Sequence, residues 1–329
     1  MKTKTRTFAK LLLLLLTLCL AVVLLAACNE DKEQETADNA LTEQTGDEQP
    51  HTHDYDSSGV CRGCGEHRPS EGLHYQMNAD KAGYTVLDIG MCPDIDVVIP
   101  ATYNELPITS IGDNAFKGCS ALTSITIPDS VTSIAQYAFE HCTGLTSVTI
   151  GNGLTSIGGS AFHYCTGLTN ITIPDSVTGI GDYAFWNCTG LTSITIPDSV
   201  TSIGEGAFRN CTGLTSVTIP SSVTSIGEGA FEYCTGLTSV TIESGAICGY
   251  AFYHCTGLTS VTIGGGVIWN GEYVFAQCNT LTSMNYQGTK AQLFASNSSG
   301  SNINIAIGID EFTIHCTDYD VKWPYYPAQ

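Results

Sequence analysis

The sequence is poor in charge, and above all in positive charge. Charged residues make up only 13% of the 329 residues, and 12 Lys and Arg stand against 32 Asp and Glu, for a formal net charge of −20. A protein that binds DNA or RNA needs clustered Lys and Arg to displace counterions from the phosphates. Four of these basic residues lie within the first ten positions. The sequence therefore excludes a nucleic-acid-binding protein.

The sequence also lacks the motifs that carry catalysis. It contains no P-loop, no Gly-x-Ser-x-Gly, no His-Glu-x-x-His and no Rossmann fingerprint. His141, His163 and His254 lie beside regularly spaced cysteines, but no third group recurs to orient a Cys–His pair. We interpret these three histidines as surface residues on turns, and we predict that the protein is not an enzyme.

The N-terminus has one long apolar run, from Leu11 to Leu25, after a basic start. At ~15 residues the run is short for a membrane span, which needs ~20, whereas this order of segments is typical of a secretory signal. The run ends in Leu25-Ala26-Ala27-Cys28, which resembles the bacterial lipobox. The resemblance implies a lipoprotein signal peptide over residues 1–27, cleavage before Cys28 and lipidation of its thiol. The mature protein would then be exported and anchored to the cell membrane, on the extracellular surface.

Residues 28–50 are predicted to be an acidic, flexible tether. Residues 29–50 carry eight acidic side chains and one lysine, and Leu41 is their only large aliphatic side chain. Such a segment buries too little apolar surface to offset the entropy of ordering it. An acidic tail that binds a partner is the alternative.

Residues 51–71 form a small Cys/His segment. Two cysteines separated by two residues can chelate one zinc ion, and two nearby histidines would complete a tetrahedral structural site. The candidate ligands are Cys61, Cys64, His51, His53 and His67. A local disulfide or redox pair, or a linker with two free thiols, are the alternatives. Zinc is the only cofactor that the sequence suggests.

From Ile99 to Tyr286 the chain repeats one unit, which indicates a solenoid. A phenylalanine lies three residues before each repeated cysteine and a leucine three residues after it. The repeated cysteines are Cys119, Cys142, Cys165, Cys188, Cys211, Cys234, Cys255 and Cys278. Equivalent positions on stacked units lie ~4.8 Å apart, farther than the ~3.5–4.5 Å between the β-carbons of a disulfide. We therefore predict a ladder of reduced, buried thiols.

Each unit predicts one strand and a return path. In Val148-Thr-Ile150 the apolar and polar residues alternate, which predicts a short strand with Val148 and Ile150 turned inward. Gly158 permits a turn, and Ala161-Phe162 is predicted to lie in a short helical or 3₁₀ segment. Stacked units would bury a continuous core. The predicted fold is a repeat solenoid, with a parallel β-sheet on one face and short helical or 3₁₀ turns on the other.

Two units near the C-terminal end depart from the pattern. The unit around Leu237 is two residues short and has Cys248 where the others have glycine. The next unit has Asn270 at a position where the others have an inward isoleucine, with Trp269 beside it. We expect these rungs to be irregular.

The outward strand positions form the candidate binding face. They are Thr126, Thr149, Thr172, Thr195, Thr218, Thr241 and Thr262. Exposed faces of repeat proteins bind large partners, although threonine also simply suits an exposed strand. Aromatic and charged residues on the turn side would add specificity. These are Tyr137, Trp186, Arg209, Tyr233 and Tyr253.

The pattern Leu-x-x-Ile-x-Ile-Pro-x-x-Val-x-x-Ile-Gly-x-x-Ala-Phe-x-x-Cys stands nearly intact over residues 191–211. It is similar to the BspA-like leucine-rich repeats of bacterial surface proteins, and the resemblance covers roughly residues 72–329. It implies an N-terminal cap over residues 72–110, a solenoid of about eight 23-residue units over 111–286 and a C-terminal cap over 287–329.

The resemblance also implies a function. It favours a lipid-anchored, adhesin-like surface protein that binds a protein or glycan on host or neighbouring cells. The alternative is a structural spacer or envelope protein with no specific ligand, which the evenness of the repeats favours.

Overall fold

The computed structural model describes residues 68–91, 94–295 and 312–323. The predicted signal peptide, the lipidated Cys28 and the acidic tether lie outside the described residues. The candidate zinc ligands lie outside them as well, and these are Cys61, Cys64, His51, His53 and His67. These assignments stay predictions.

The described residues form short strands and one short helix. The strands are β1 (His74–Met77), β2 (Tyr84–Asp88), β3 (Asp96–Val98), β4 (Thr102–Tyr103), β5 (Leu106–Ile111), β6 (Ser124–Ile127), β7 (Ser133–Ile134), β8 (Ser147–Ile150), β9 (Ser156–Ile157), β10 (Gly179–Ile180), β11 (Ser202–Ile203), β12 (Ser216–Ile219), β13 (Ser225–Ile226), β14 (Ser239–Ile247), β15 (Ser260–Trp269), β16 (Ser283–Tyr286), β17 (Phe312–His315) and β18 (Asp320–Trp323). The helix is α1 (Lys290–Ala295). No helix in these ranges has the length and apolar character that a membrane span needs.

The predicted solenoid is confirmed, because equivalent residues of successive units pair in register. In the first ladder of parallel strands, Val148 of β8 lies opposite Ile125 of β6, and the following positions stay in step. Along the Val148-Thr-Ile150 stretch, Val148 is buried as predicted, whereas Ile150 is only half-buried. Each unit is thus one rung, and the rungs stack through main-chain hydrogen bonds.

The return path forms a second ladder, which the sequence analysis did not predict. It runs through β5, β7, β9, β10, β11 and β13 and continues into β14 and β15. The first ladder is interrupted, since β8 and β12 are separated by two rungs joined only by a bridge between Thr172 and Thr195. The inward isoleucine of the return path, such as Ile180, pairs with its counterpart on each side. The continuous sheet is therefore on the return path and not on the predicted strand.

The turn after each second-ladder strand contains no helix, which corrects the prediction for Ala161-Phe162. Its amides alternate between two kinds of acceptor. Phe139 N donates to the Ala161 carbonyl of the next rung at 2.7 Å, whereas Glu140 N donates to the Tyr137 carbonyl within its own rung at 3.1 Å. A helix would satisfy every amide within its own turn. Here half of the amides are needed to join the rungs, so the chain makes isolated turns instead.

Phenylalanine and cysteine fill the core. The eight phenylalanines, from Phe116 to Phe275, are fully buried, and neighbouring rings stack with centroids 5.0–5.3 Å apart. Each cysteine thiol from Cys142 to Cys278 donates to the carbonyl of the phenylalanine one rung back, at 3.0–3.2 Å. The described cysteines are all free, in agreement with the predicted thiol ladder. Cys119, on the first rung, is only partly buried.

The irregular rungs differ from their predicted register. Trp269, and not Asn270, takes the inward position, where it is 3% exposed and pairs with Ile247. Trp269 precedes Phe275 by six residues, whereas Ile247 precedes Phe252 by five. The inward residue of this rung therefore lies one position farther from its phenylalanine, and a constant spacing predicts Asn270 instead. Because the connection before Ile247 is shortened, the chain makes no separate turn between the two ladders. β14 therefore continues from the first ladder into the second.

Antiparallel pairs lie at both ends of the repeat stack. β1 pairs with β2 at the N-terminal end, and β17 pairs with β18 at the C-terminal end. The outermost strand at each end is short and runs against the direction of the repeat. It is therefore a poor template for pairing with a strand of another chain.

The buried thiols make a prediction about chemical reactivity. Burial raises the pKa of the Cys188 and Cys211 thiols well above their ordinary value, and only the thiolate is nucleophilic. We expect iodoacetamide to leave both unmodified in the folded protein at mildly alkaline pH, while the partly exposed Cys248 is alkylated. Peptide mass spectrometry after timed labelling measures this, and a denatured sample, in which all three react, is the control. Equal labelling of Cys188 and Cys248 in the folded protein would contradict the buried ladder.

Candidate binding surfaces

The outward threonines form a row along the first ladder. Thr149, Thr172, Thr195 and Thr218 are exposed, and the three at the ends of the row are half-buried. A neighbouring threonine column is engaged in the fold, because Thr146 Oγ1 donates to the Thr123 carbonyl at 3.0 Å. Among the described residues, the outward column makes no such side-chain bond. Its hydroxyls are thus available to a ligand, but they are identical from rung to rung.

A uniform column cannot distinguish one rung from the next, whereas positions at which the repeats differ can. The differences concentrate on the turn that carries the core phenylalanine. We call the residue directly after each core phenylalanine the mixed column. It consists of Lys117, Glu140, His163, Trp186, Arg209, Glu232, Tyr253 and Ala276.

The first half of the mixed column is an ionic chain. Lys117 Nζ lies 2.5 Å from Glu140 Oε2, and His163 Nδ1 lies 3.2 Å from Glu140 Oε1. Glu140 is only 8% exposed. The stacking of rungs brings side chains 23 positions apart into direct contact. The sequence interpretation of His163 as a surface turn residue is therefore wrong, because it is half-buried and hydrogen-bonded.

The second half of the mixed column continues this chain through aromatic contacts. The His163 ring stacks on Trp186 with centroids 4.5 Å apart. The Arg209 guanidinium lies 5.8 Å from the Trp186 ring centroid, and Arg209 Nη1 lies 3.2 Å from Glu232 Oε2. Both are attractive interactions of the kind that cation–π and charge-assisted pairs provide. Six consecutive rungs are thereby linked by their side chains.

Burial and pairing set the ionisation of this chain. Burial by itself raises the pKa of Glu140, but the Lys117 ammonium and the hydrogen bond with His163 outweigh it and hold the pKa below its ordinary value. Burial lowers the pKa of His163, against the opposing pull of Glu140. Burial likewise raises the pKa of Glu232, partly countered by Arg209. His163 is therefore neutral near pH 7, with Nδ1–H donating to the Glu140 carboxylate.

Two further columns flank the mixed column, and both have left-handed backbone. The tyrosine column, two residues before each core phenylalanine, is Asn114, Tyr137, Ser160, Tyr183, Gly206, Gly229, Tyr250 and Tyr273. The edge column, two residues after it, is Gly118, His141, Tyr164, Asn187, Asn210, Tyr233, His254 and Gln277. All of these residues have φ between 54° and 75°. Sequence reasoning missed this feature, although glycine and asparagine recurring in one column is its signal.

The residues predicted to add specificity lie in these columns. Trp186, Arg209 and Tyr253 lie in the mixed column, Tyr137 in the tyrosine column and Tyr233 in the edge column. Within the described ranges, no group of three or more His, Cys, Asp or Glu is placed to hold a metal ion. The arrangement is suited to binding through aromatic and charged side chains.

Comparisons with known proteins agree on the repeat. Residues 109–238 and 203–316 match the sequence model of the family described as BspA type leucine rich repeat region, in six copies. A leucine-rich repeat protein from T. pallidum is 31% identical, with a TM-score of 0.55, and the match covers 66% of this chain and 91% of that protein. A leucine-rich repeat protein from Bacteroides ovatus is 27% identical, with a TM-score of 0.58, over 67% of this chain and 65% of that protein. The search of curated proteins gave no match.

The His163–Glu140 pair predicts a dependence of stability on pH. Between the lowered folded pKa of His163 and its ordinary value of 6.5, the unfolded chain binds the extra proton. Stability is therefore complete above about pH 6.5 and falls as the pH decreases towards the folded pKa. The lowered pKa of Glu140 adds a further loss at more acidic pH, below its ordinary value of 4.5.

The measurement is urea unfolding as a function of pH for the wild type and for His163→Gln. We expect the wild type to lose stability between neutral pH and pH ~5.5 by more than the variant does. His254→Gln, in the edge column four rungs from His163, is the control and is expected to lose as much stability as the wild type does. Identical pH profiles for the wild type and His163→Gln would contradict the assignment.

Proposed function

This chain belongs to the BspA-type leucine-rich repeat family, and from that premise we propose that it is an exported, lipid-anchored surface protein that binds a protein or glycan and has no catalytic activity. The observation that carries the proposal is the contrast between uniform and variable positions. The inward Phe, Cys and Leu recur in rung after rung, whereas the mixed, tyrosine and edge columns change at almost every rung. Folding by itself requires only the recurring inward Phe, Cys and Leu.

The chemistry of the variable columns supports binding. Tryptophan, tyrosine and arginine carry most of the energy at protein interfaces, and here they lie together on one surface. Trp186, Arg209 and Tyr233 are half-buried, and cation–π contacts of Arg209 with the other two hold them in place. Side chains that are already ordered lose little entropy on binding.

The outward threonines are a second, less specific surface. Their hydroxyls can contribute hydrogen bonds to a partner that lies across several rungs. Because they are uniform, they suit a broad contact better than the recognition of a single epitope. The same uniformity favours the competing function of a structural spacer with no specific ligand.

The lipid anchor rests on the lipobox resemblance of residues 25–28, and it can be tested directly. In a bacterial expression host grown with radiolabelled palmitate, we expect the wild type to be labelled and to fractionate with membranes. Cys28→Ser should abolish both, because the thiol that accepts the lipid is gone. Cys19→Ser, within the apolar run, is the matched control and keeps both properties. Labelling that survives Cys28→Ser would contradict the anchor.

The binding function is tested with the full chain against immobilised matrix proteins, bacterial surfaces and a glycan array. We expect saturable binding that Trp186→Ala combined with Arg209→Gln weakens by about tenfold or more, since these are the residue types of binding hot spots. The comparison variant changes Thr149, Thr172, Thr195 and Thr218 to Lys.

The two variants separate the surfaces. Loss of binding only in the variant of the mixed column supports the proposed turn surface. Loss only in the lysine variant moves the site to the outward threonines. No binding by a protein that circular dichroism shows to be folded would contradict the proposal and favour the spacer.

A further inference from the structure

A groove runs beside the tyrosine column, along the second ladder. It extends from Tyr137 past Tyr183 to Ser225 and Gly227, and its volume is about 790 Å³. Tyr137 and Tyr183 stand two rungs apart along it, and Gly159 and Ser160 line it on the rung between them. Rungs two apart are separated by ~10 Å, which is about the length of two linked pyranose rings.

The groove continues along the column beyond Tyr183. Gly206 and Gly229 occupy the next two rungs and leave a second cavity of about 220 Å³ between Tyr183 and Tyr250. Gly206 is required there, because a Cβ at this position would lie 2.5 Å from atoms of the Tyr183 ring. One rung without a tyrosine thus separates Tyr137 from Tyr183 and two separate Tyr183 from Tyr250, whereas Tyr250 and Tyr273 stack directly with centroids 5.4 Å apart.

The backbone at these positions does not require tyrosine. Tyr137, Tyr183 and Tyr250 have φ of 57–59°, and this left-handed region carries a strain cost for a residue other than glycine. Gly206 and Gly229 show that glycine serves at the same position without that cost. Backbone strain retained where a simpler residue would fit is a feature of functional sites.

The lining selects the chemical class of ligand. The groove edges offer Gln136, Ser202, Asp182 and Glu205. Asp182 Oδ1 already accepts from Glu205 N at 2.8 Å, and Glu205 Oε1 accepts from the Tyr183 hydroxyl, so the second oxygen of each carboxylate is left for the hydroxyl groups of a ligand. An aromatic ring has a negative face, which attracts the C–H bonds on the flat side of a pyranose.

Arg209 is the one cation among the residues that line the two cavities, and it is paired with Glu232. Lys117 Nζ lies 5.1 Å from the Tyr137 ring centroid and is paired with Glu140.

We propose that this groove binds a neutral, linear polysaccharide that lies along the tyrosine column, with sugar rings stacked on Tyr137 and Tyr183. The inference rests on the proposed binding function and names its ligand class. Acidic glycans are disfavoured, because Asp182 and Glu205 would repel them. A lysine-rich peptide is the competing ligand, because the carboxylates would attract it too. Its binding would not depend on the distance between Tyr137 and Tyr183.

The experiment uses the full chain and a panel of neutral hexasaccharides, namely cello-, laminari-, manno- and maltohexaose, measured by titration calorimetry. Tyr137→Gly removes one wall and relieves backbone strain, so the variant should stay folded. Ser160→Tyr fills the gap with the residue that the same column carries at other rungs with the same sign of φ. Asn104→Gly is the control for relieved backbone strain, because Asn104 has φ of 47° but lies between β4 and β5, outside the groove and outside the three columns.

We expect at least one neutral hexasaccharide to bind, and Tyr137→Gly and Ser160→Tyr to weaken its binding roughly tenfold or more, with less than about a twofold change in Asn104→Gly. Equal loss in the control would overturn the groove. Binding of polygalacturonate or of a lysine-rich peptide in place of the neutral sugars would overturn the ligand class.

A further outcome separates this inference from the function on which it rests. If the folded protein binds matrix proteins or cells but no hexasaccharide, the glycan groove is wrong and the proposed surface-binding function stands. If it binds none of these partners, both are wrong.

Discussion

Main-chain pairing between successive rungs is the constraint on which the rest of this structure depends. Buried amides and carbonyls must be hydrogen-bonded, and in a solenoid most of their partners lie in the adjacent rung. The first ladder, the second ladder and half of the turn amides, such as Phe139 N to the Ala161 carbonyl, all meet this need. Every rung must therefore follow nearly the same path, one strand spacing from the next.

That identical path explains why the interior is repetitive. A side chain that points inward meets its own counterparts above and below, so a shape that stacks on itself is favoured. Phenylalanine rings do so with centroids about 5 Å apart, and each cysteine thiol reaches a carbonyl of the previous rung. A change in one rung would disturb both neighbours, which leaves little freedom for variation inside.

The same stacking orders the outer surface. Neighbouring rungs bring residues 23 positions apart into contact, so a column can become a chain such as Glu140, His163 and Trp186. In the tyrosine column, Ser160, Gly206 and Gly229 stand between tyrosines, and a groove lies beside them. The mixed column thus forms an ordered surface, and the tyrosine column forms a cavity, on one scaffold.

The sequence by itself determined the repeat, its period, the inward Phe and Cys and the outward Thr, because each of these follows from a pattern of apolar and polar residues along one unit. Tertiary structure alone decided the second ladder, the non-helical turn and the inward place of Trp269, since each depends on which atoms of the next rung come within hydrogen-bonding distance. It also decided that His163 pairs with Glu140 and that Tyr137 and Tyr183 line one cavity. Such contacts join residues far apart in the chain. The pattern of apolar and polar residues within one unit does not show which side chains the stacking of rungs brings together.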